Sequence, residues 1–158
     1  MKRKTSRVSP RTVLVPSTVA DLRKLLALIE AYYRFDQIKF DRRRIKSSLT
    51  ALLRDNSLGR VWLIRFAGCD AGYVIVTFAY DIEFGGRQAI ITDLYLAEKY
   101  RGMGLGCSTI DQVASRCRPL RIMTLELQVE RHNRAAQTFY RKVGFQPLDR
   151  IPMSKSLR

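Results

Sequence analysis

The residues best suited to chemistry lie in a glycine-rich stretch that runs from Arg101 to Gly106. Gly102, Gly104 and Gly106 follow a β-branched, apolar run and precede an amphipathic run, so the stretch joins a predicted strand to a predicted helix. The first amides of a helix lack intrahelical partners, and the helix dipole adds positive charge there. Glycines let a backbone approach a phosphate closely, and an arginine adds a charge-assisted contact. The stretch therefore predicts a phosphate or pyrophosphate site.

Two common phosphate-binding motifs do not match this loop. The dinucleotide fingerprint Gly-x-Gly-x-x-Gly would need its third glycine at Cys107 or at Thr109, depending on where counting begins. A P-loop requires Gly-Lys-Ser/Thr, and the stretch contains no lysine. The pattern that remains is Arg-x-x-Gly-x-Gly.

A second segment, His132–Phe145, follows the next predicted strand and contains Asn-x-x-Ala-x-x-Phe-Tyr-x-x-x-Gly-Phe. The two segments resemble, in order and separation, the acetyl-coenzyme A loop and a later segment of the GCN5-related N-acetyltransferases (GNAT). The resemblance covers about Val13 to Met153, with firm motifs from Ala89 onward. Thr92-Asp93-Leu94-Tyr95 also resembles the Glu-Asp-x-x stretch of diamine and polyamine acetyltransferases within that superfamily.

The alternation of helical and strand patterns predicts an α/β fold with a mixed sheet and helices on both faces. The GNAT resemblance implies the order β1-α1-α2-β2-β3-β4-α3-β5-α4-β6, a mostly antiparallel sheet, and a gap between the strands that flank the phosphate-loop helix. Thr18 with Asp21, and Asp41, are predicted helix caps. Strands are expected over 122–130 and 145–153, and a turn over 68–71 is expected within the first long hairpin.

The resemblance also implies a set of residues that bind acetyl-CoA, the co-substrate. They comprise a strand edge for the pantetheine arm, the loop for the pyrophosphate, and three positions in the second segment: Leu94, Tyr95, Leu96, Arg101, Gly102, Met103, Gly104, Leu105, Gly106, Asn133, Ala136 and Tyr140. The amide of Leu94, or of a near neighbour, is also expected to polarise the thioester oxygen.

Acetyl transfer to an amine requires a base for the amine and an acid for the departing thiolate. Tyr140 is the predicted acid, because a phenol has a pKa of about 10 and a thiol a pKa of about 8.5. In the polyamine enzymes a glutamate relays the proton of the amine, but Thr92 stands at that position and cannot act as a base. Asp93 is therefore the first candidate for the base, with Glu83 and Glu126 after it.

The few acidic residues indicate the acceptor. Five of the 14 fall on strands and turns that are expected to line the acceptor groove: Asp81, Glu83, Asp93, Glu126 and Glu130. An acidic groove in a basic chain attracts a cationic amine, so a small amine is the first acceptor class. A protein lysine or N-terminus, ribosomal proteins included, is the second. A non-catalytic module that senses acyl-CoA or binds nucleic acid is the third.

Composition bounds the remaining choices. The 158 residues suffice for one domain over 12–158, preceded by a basic arm over 1–11 that is predicted to be flexible. A net charge of +15 favours anionic partners, and nucleic acid remains an alternative to coenzyme A alone. No apolar run predicts a membrane span, and three scattered cysteines with one histidine predict no metal site. These features favour a cytoplasmic monomer or homodimer.

Overall fold

A mixed sheet forms the centre of the fold in the computed structural model, which describes residues 11–157. Its five strands pair in the order of the chain: β1 (Val13–Pro16), β2 (Gly59–Phe66), β3 (Cys69–Asp81), β4 (Gly86–Leu96) and β5 (Thr124–Leu127). The first three junctions are antiparallel, and β4 pairs with β5 in parallel. The predicted mixed, mostly antiparallel sheet is therefore confirmed.

Four helices accompany the sheet: α1 (Leu22–Phe35), α2 (Arg42–Arg54), α3 (Leu105–Cys117) and α4 (Arg134–Lys142). The predicted caps are confirmed. Thr18 and Asp21 form a reciprocal capping box in the 3-10 turn before α1. The Asp41 side chain accepts a hydrogen bond from the Arg44 amide at the start of α2.

The helices cover both faces of the sheet, as predicted. One face packs against α1 and α2 through a buried cluster that includes Leu25, Leu63 and Tyr73. Trp62 alternates with Leu63 along β2 and is buried on the opposite face. That face meets α3, because the guanidinium of Arg116 lies 6.0 Å from the centre of the Trp62 ring.

The chain divides into two units, Met1–Gln128 and Val129–Arg158. The N-terminal unit holds the sheet and α1 to α3, and the C-terminal unit holds α4. The predicted basic arm over 1–11 lies outside the described residues apart from Arg11. The assignment of 12–158 to one domain stays a prediction.

Three local predictions are wrong. The hairpin between β2 and β3 turns at Ala67 and Gly68, both with positive φ, and residues 69–71 belong to β3. β5 is only Thr124–Leu127, and Met123, which falls within the predicted strand 122–130, lies outside β5 and is 61% exposed. Residues 145–153 form no strand. Pro147 and Pro152 lack the N–H that a sheet ladder requires, which accounts for the missing sixth strand.

Candidate active site

The predicted phosphate loop leads directly from β4 into α3. Gly102 has φ +73° and Gly104 has φ +80°, a left-handed conformation that glycine adopts without steric cost. A Cβ atom added at either glycine would meet no atom within 4 Å, so the space in front of both is open. Gly106 lies in the first turn of α3. Gly102 and Gly104 therefore shape the loop.

The N-terminus of α3, which follows this loop, has amides without intrahelical partners. Its N-cap is Gly104, which provides no side-chain hydrogen bond. The first helical hydrogen bond runs from the Ser108 amide to the Gly104 carbonyl at 3.2 Å, so the preceding amides have no intrahelical partner. Leu105 is buried and fixes the helix against the sheet, whereas Met103 is 54% exposed. This arrangement fits the diphosphate of a nucleotide-like carrier.

Arg101 lies at the entrance of the loop, and its side chain turns toward β4. Its Nε donates a hydrogen bond to the Leu96 carbonyl at 2.8 Å. Its guanidinium stacks over the Phe35 ring at 4.1 Å and the Tyr95 ring at 5.6 Å. Part of its function is thus to tie the loop to β4 and to the end of α1.

A β-bulge in β4 lies where pairing with β5 ends. The β4–β5 ladder covers only Gln88 to Ile91. On the other side of β4, Ile75 faces Asp93 and the next residue of β3 faces Ile91, which leaves Thr92 as an extra residue. Residues 92–96 of β4 have no β5 partner within the described part of the chain, and a gap between the two strands there stays a prediction.

Because of the bulge, Asp93 lies on the face that carries Ile75, toward α1 and α2. Its Oδ2 accepts a hydrogen bond from the Tyr73 hydroxyl at 3.1 Å. Burial raises the pKa of the Asp93 carboxyl, and the Tyr73 hydrogen bond opposes that rise. Burial together with the Asp93 charge raises the pKa of the Tyr33 hydroxyl. Asp93 is thus a half-buried carboxylate among tyrosines.

Aromatic rings connect this carboxylate to the phosphate loop. The Tyr73 and Tyr95 ring centres lie 6.1 Å apart, and Tyr95 lies under the Arg101 guanidinium. Tyr32 packs on the other side of Tyr95, with ring centres 5.8 Å apart. The loop and the candidate base therefore share one continuous packed cluster.

The other predicted acidic residues occupy different positions. Glu126 is half-buried and accepts a hydrogen bond from the buried Gln88 amide at 2.6 Å. The register places Asp81 and Glu126 on the same sheet face as Asp93. Glu83 is exposed in the loop beyond Asp81, about 20 Å along the hairpin from Asp93 at the usual strand rise. The structure does not bring Glu83 and Asp93 together.

The C-terminal unit contains the remaining predicted residues. Oδ1 of Asn133 caps α4 by accepting a hydrogen bond from the Ala136 amide at 3.0 Å. Tyr140 is half-buried, and its ring packs edge-on against Phe145 at 5.7 Å and beside Phe139 at 5.1 Å. Gly144 has φ +99° and ends the helix. Asn133 thus fixes the start of the segment that carries Tyr140.

The partners of the acidic groups were not predicted. Tyr73 and Gln88 are separated in sequence from Asp93 and Glu126 by 20 and 38 residues. Only the strand register brings these pairs together, and no local sequence pattern predicts that register.

Residues 11–157 contain neither a membrane-spanning helix nor a cluster of metal ligands. None of the helices in that range is long and apolar enough to cross a membrane. Within the same range, no group of three or more His, Cys, Asp and Glu residues is placed to hold a metal ion.

Known proteins with similar sequences act in acetyl transfer. Over 80 residues, the chain is 32% identical to the bovine (Bos taurus) thialysine N-epsilon-acetyltransferase, a match that spans 51% of this chain and 46% of that protein. It is 28% identical over 119 residues, 75% of each chain, to a Bacillus subtilis (strain 168) protein provisionally named a ribosomal protein bS18-alanine N-acetyltransferase. The chain thus spans less than half the length of the bovine relative.

The fold is shared with a predicted acetyltransferase from Clostridium acetobutylicum whose crystal structure contains acetyl-CoA. The TM-score is 0.76 at 17% identity, with 92% of this chain and 96% of that chain covered. The model of the acetyltransferase (GNAT) family matches residues 22–145, which include the sheet from β2 to β5, the phosphate loop and α4. This chain is therefore an acyltransferase enzyme of the GNAT family.

Proposed function

We propose that the enzyme transfers an acetyl group from acetyl-CoA to a primary amine of a small molecule by direct attack on the thioester. The observation that carries this proposal is the uncapped N-terminus of α3, which lies beside the unpaired edge of β4 in the same unit. A carrier with a diphosphate and an extended amide arm fits both features.

The residues proposed to hold acetyl-CoA are those named from the sequence. The edge from Leu94 to Leu96 would bind the pantetheine amides as an added strand would. The loop from Arg101 to Gly106 would bind the diphosphate through its amides. In the C-terminal unit, Asn133 and Ala136 are proposed to contact the arm. When bound, acetyl-CoA supplies a thioester whose carbonyl carbon is activated toward an amine.

Asp93 is the proposed general base. An alkyl ammonium has a pKa of about 10.4, so most acceptor molecules are protonated at neutral pH. Each must lose a proton before its nitrogen can attack. Burial raises the pKa of Asp93, which makes its carboxylate a stronger proton acceptor than an exposed one. Glu83 is far from Asp93, so its proposed role is to attract a cationic acceptor rather than to transfer a proton.

Tyr140 is the proposed general acid, and it would give its phenolic proton to the thiolate sulfur. Support comes from the matched Phe-Tyr-x-x-x-Gly-Phe segment. Packing against Phe139 and Phe145 restricts the phenol ring, as a positioned acid requires.

The acidic sheet face supports a cationic small amine as acceptor. Asp81, Asp93 and Glu126 share that face, although the net charge of the chain is +15. The name of the bovine relative specifies thialysine, a small molecule. The name of the Bacillus relative, matched over 75% of each chain, specifies a ribosomal protein, so an N-terminal alanine is the second candidate acceptor.

A thiol-release assay with acetyl-CoA tests both acceptors. The purified chain is incubated with a panel of diamines, polyamines, amino acids and aminoglycosides, and separately with peptides that begin with alanine. We expect turnover with a small cationic amine and loss of that turnover in Asp93→Asn, with Asp36→Asn as a matched exposed control. Acetylation of the peptides alone would replace the small-amine proposal by the second candidate.

A further inference from the structure

The sheet carries opposite charges on its two faces near the β3–β4 hairpin. The acidic residues that share a sheet face, described above, lie on the side of α1 and α2. On β2, Arg60 is two residues from Trp62 and therefore lies on the side of α3. Arg60 pairs with Val76 of β3. Arg87 of β4 pairs with Tyr80, four residues farther along β3, so both arginines share the α3 side.

Two guanidinium groups flank the ring of Phe78 on this face. The guanidinium carbon of Arg60 lies 5.4 Å from the ring centre, and that of Arg87 lies 4.8 Å from it. The two arginines come from the strands on either side of β3. Arg87 also donates a hydrogen bond to the Leu120 carbonyl at 3.3 Å, which ties it to the turn after α3. Because a guanidinium has five N–H donors, this bond leaves further donors of Arg87 for a ligand.

Two further arginines extend this basic area into the turn that follows α3. Arg118 and Arg121 are both exposed, and Leu120 lies between them in the chain. The salt bridges within residues 11–157 involve neither of them, and neither Arg60 nor Arg87. α3 spans 13 residues, so Arg118 lies about 20 Å from the phosphate loop. The basic area is therefore separate from the proposed acetyl-CoA site.

Tyr80 provides an open aromatic ring beside these charges. It is 76% exposed and lies directly opposite Arg87 in the β3–β4 ladder. Phe78, by contrast, is half-buried and is already contacted by guanidinium groups. The acidic neighbour Asp81 accepts a hydrogen bond from the Glu83 amide at 2.8 Å, and strand alternation places it on the opposite face. The Tyr80 ring can therefore take a planar ligand next to positive charge.

An exposed aromatic ring among arginines matches the chemistry of a single-stranded nucleic acid. Unstacked bases stack on aromatic side chains, and guanidinium groups pair with phosphates. Unpaired bases are common in RNA loops, whereas DNA is mostly duplex. The net charge of +15 also favours a polyanion. We propose that the arginine surface, defined as Tyr80 with Arg87, Arg118 and Arg121, binds single-stranded RNA, with a base on Tyr80 and phosphates at the three arginines.

RNA binding by the full chain is measured by fluorescence anisotropy with a fluorescein-labelled ten-nucleotide RNA of mixed sequence. Single-stranded and duplex DNA of the same sequence are the references. We expect saturable RNA binding that is tighter than binding of the duplex. The logarithm of the RNA association constant should fall with the logarithm of salt concentration with a slope of about −2, because each of three phosphate contacts to a single strand contributes about −0.7. The absence of saturable RNA binding, or tighter binding of either DNA, would overturn the proposal.

Substitutions at exposed positions separate stacking from charge. Tyr80→Ala should weaken RNA binding at least about fivefold without changing the salt slope, as expected for one stacked base, and Tyr80→Phe should restore the affinity. Arg118→Gln and Arg121→Asn should each weaken binding and reduce the salt slope by about 0.7. Asparagine suits position 121 because φ is +56° there. Arg43→Gln, at an exposed position of α2, is the control of equal charge change and should leave both quantities unchanged.

Three results with these variants would overturn the proposal. Wild-type affinity in Tyr80→Ala would show that the ring takes no base. Equal losses in Arg43→Gln and Arg118→Gln would show that binding follows total charge. Replacement by glutamine of the four basic residues of positions 2–7 provides the third, because loss of binding there with retention in Tyr80→Ala would assign the RNA to the N-terminal segment. Thermal melts that match the wild type confirm that each variant is folded.

Discussion

The Tyr73 hydroxyl donates a hydrogen bond to Oδ2 of Asp93 at 3.1 Å, across the β3–β4 ladder and two residues from Tyr95, which lies directly opposite Tyr73. Burial raises the pKa of both groups, for Tyr73 to far above its usual range. The hydrogen bond favours the charged form of Asp93 and so opposes the effect of burial. Tyr73 is thus a proposed positioning residue, whose hydroxyl favours the ionised form of the proposed base.

Tyr73→Phe tests this relationship through the pH dependence of turnover. Without the hydroxyl the pKa of Asp93 should rise, because the contribution that lowers it is removed. A base must be deprotonated to act, so the acidic limb of the kcat/KM profile should move to higher pH. Tyr80→Phe, at an exposed tyrosine of the same strand, is the control and should leave the profile in place. An unmoved acidic limb in Tyr73→Phe would exclude Asp93 as the base.

Asp93→Asn should separate stability from activity. The folded-state pKa of Asp93 is raised, so its contribution to stability is fully present below the unfolded pKa of about 3.9 and is lost as pH rises through the folded value. Asparagine carries no charge and can still accept the Tyr73 hydrogen bond. The melting temperature of Asp93→Asn should therefore rise relative to that of the wild type as pH increases toward 7. The turnover of the variant should nevertheless be lower than that of the wild type.

Asp55, whose pKa is shifted in the opposite direction from that of Asp93, provides the control for that measurement. The hydrogen bond from Ser57 lowers the pKa of Asp55, so its contribution is present above the unfolded pKa and is lost on acidification. Asp55→Asn should therefore lose relative stability as pH rises. A parallel response of the two variants would contradict the assigned directions.

Gly104→Ala and Gly68→Ala form a matched pair. Both glycines have φ near +80°, and a Cβ on either would meet no atom within 4 Å. Each change should cost about 1–2 kcal/mol of unfolding free energy for the left-handed backbone. Only Gly104→Ala should raise the KM for acetyl-CoA, by about tenfold or more, because it disturbs amides proposed to bind the diphosphate. Equal KM values in both variants would show that the loop only turns the chain.

Tyr140→Phe distinguishes an acid catalyst from a packing residue. The change keeps the ring that contacts Phe139 and Phe145 and removes only the hydroxyl. Turnover should fall about 10²–10⁴-fold with little change in the KM for acetyl-CoA. Tyr100→Phe is the control. Full turnover in Tyr140→Phe would show that Tyr140 is not the acid. If the wild-type chain itself showed no turnover, the acyl-CoA-sensing alternative would be favoured.

Local chemistry made most of the fold predictable. Thr18, Asp41 and Asn133 each bond to an amide two or three residues later, so their capping roles follow from adjacent sequence. The glycine loop was likewise recognisable because its whole motif lies in the short stretch from Arg101 to Gly106. A sixth strand was predicted over 145–153, in line with the element order that the resemblance implies, but two prolines in that segment lack the amides that a sheet ladder needs.

The interior of the candidate site was not predictable in the same way. The Tyr73–Asp93 contact depends on a bulge at Thr92, and nothing in the side chains around Thr92 specifies one extra residue. Likewise, the pairing of Gln88 with Glu126 depends on the parallel register of β4 and β5. Such contacts are set by the whole sheet, and their residues are ordinary strand formers when read along the chain.

The bulge at Thr92 also determines which backbone atoms remain available. Deletion of Thr92 would restore regular alternation, with Ile91 and Asp93 keeping their present faces. β4 would then lose the local bend that a bulge produces, and its pairing with β5 could continue toward Leu96. The β4 amides proposed to bind acetyl-CoA would then bond to the neighbouring strand, so the one extra residue keeps that strand edge available.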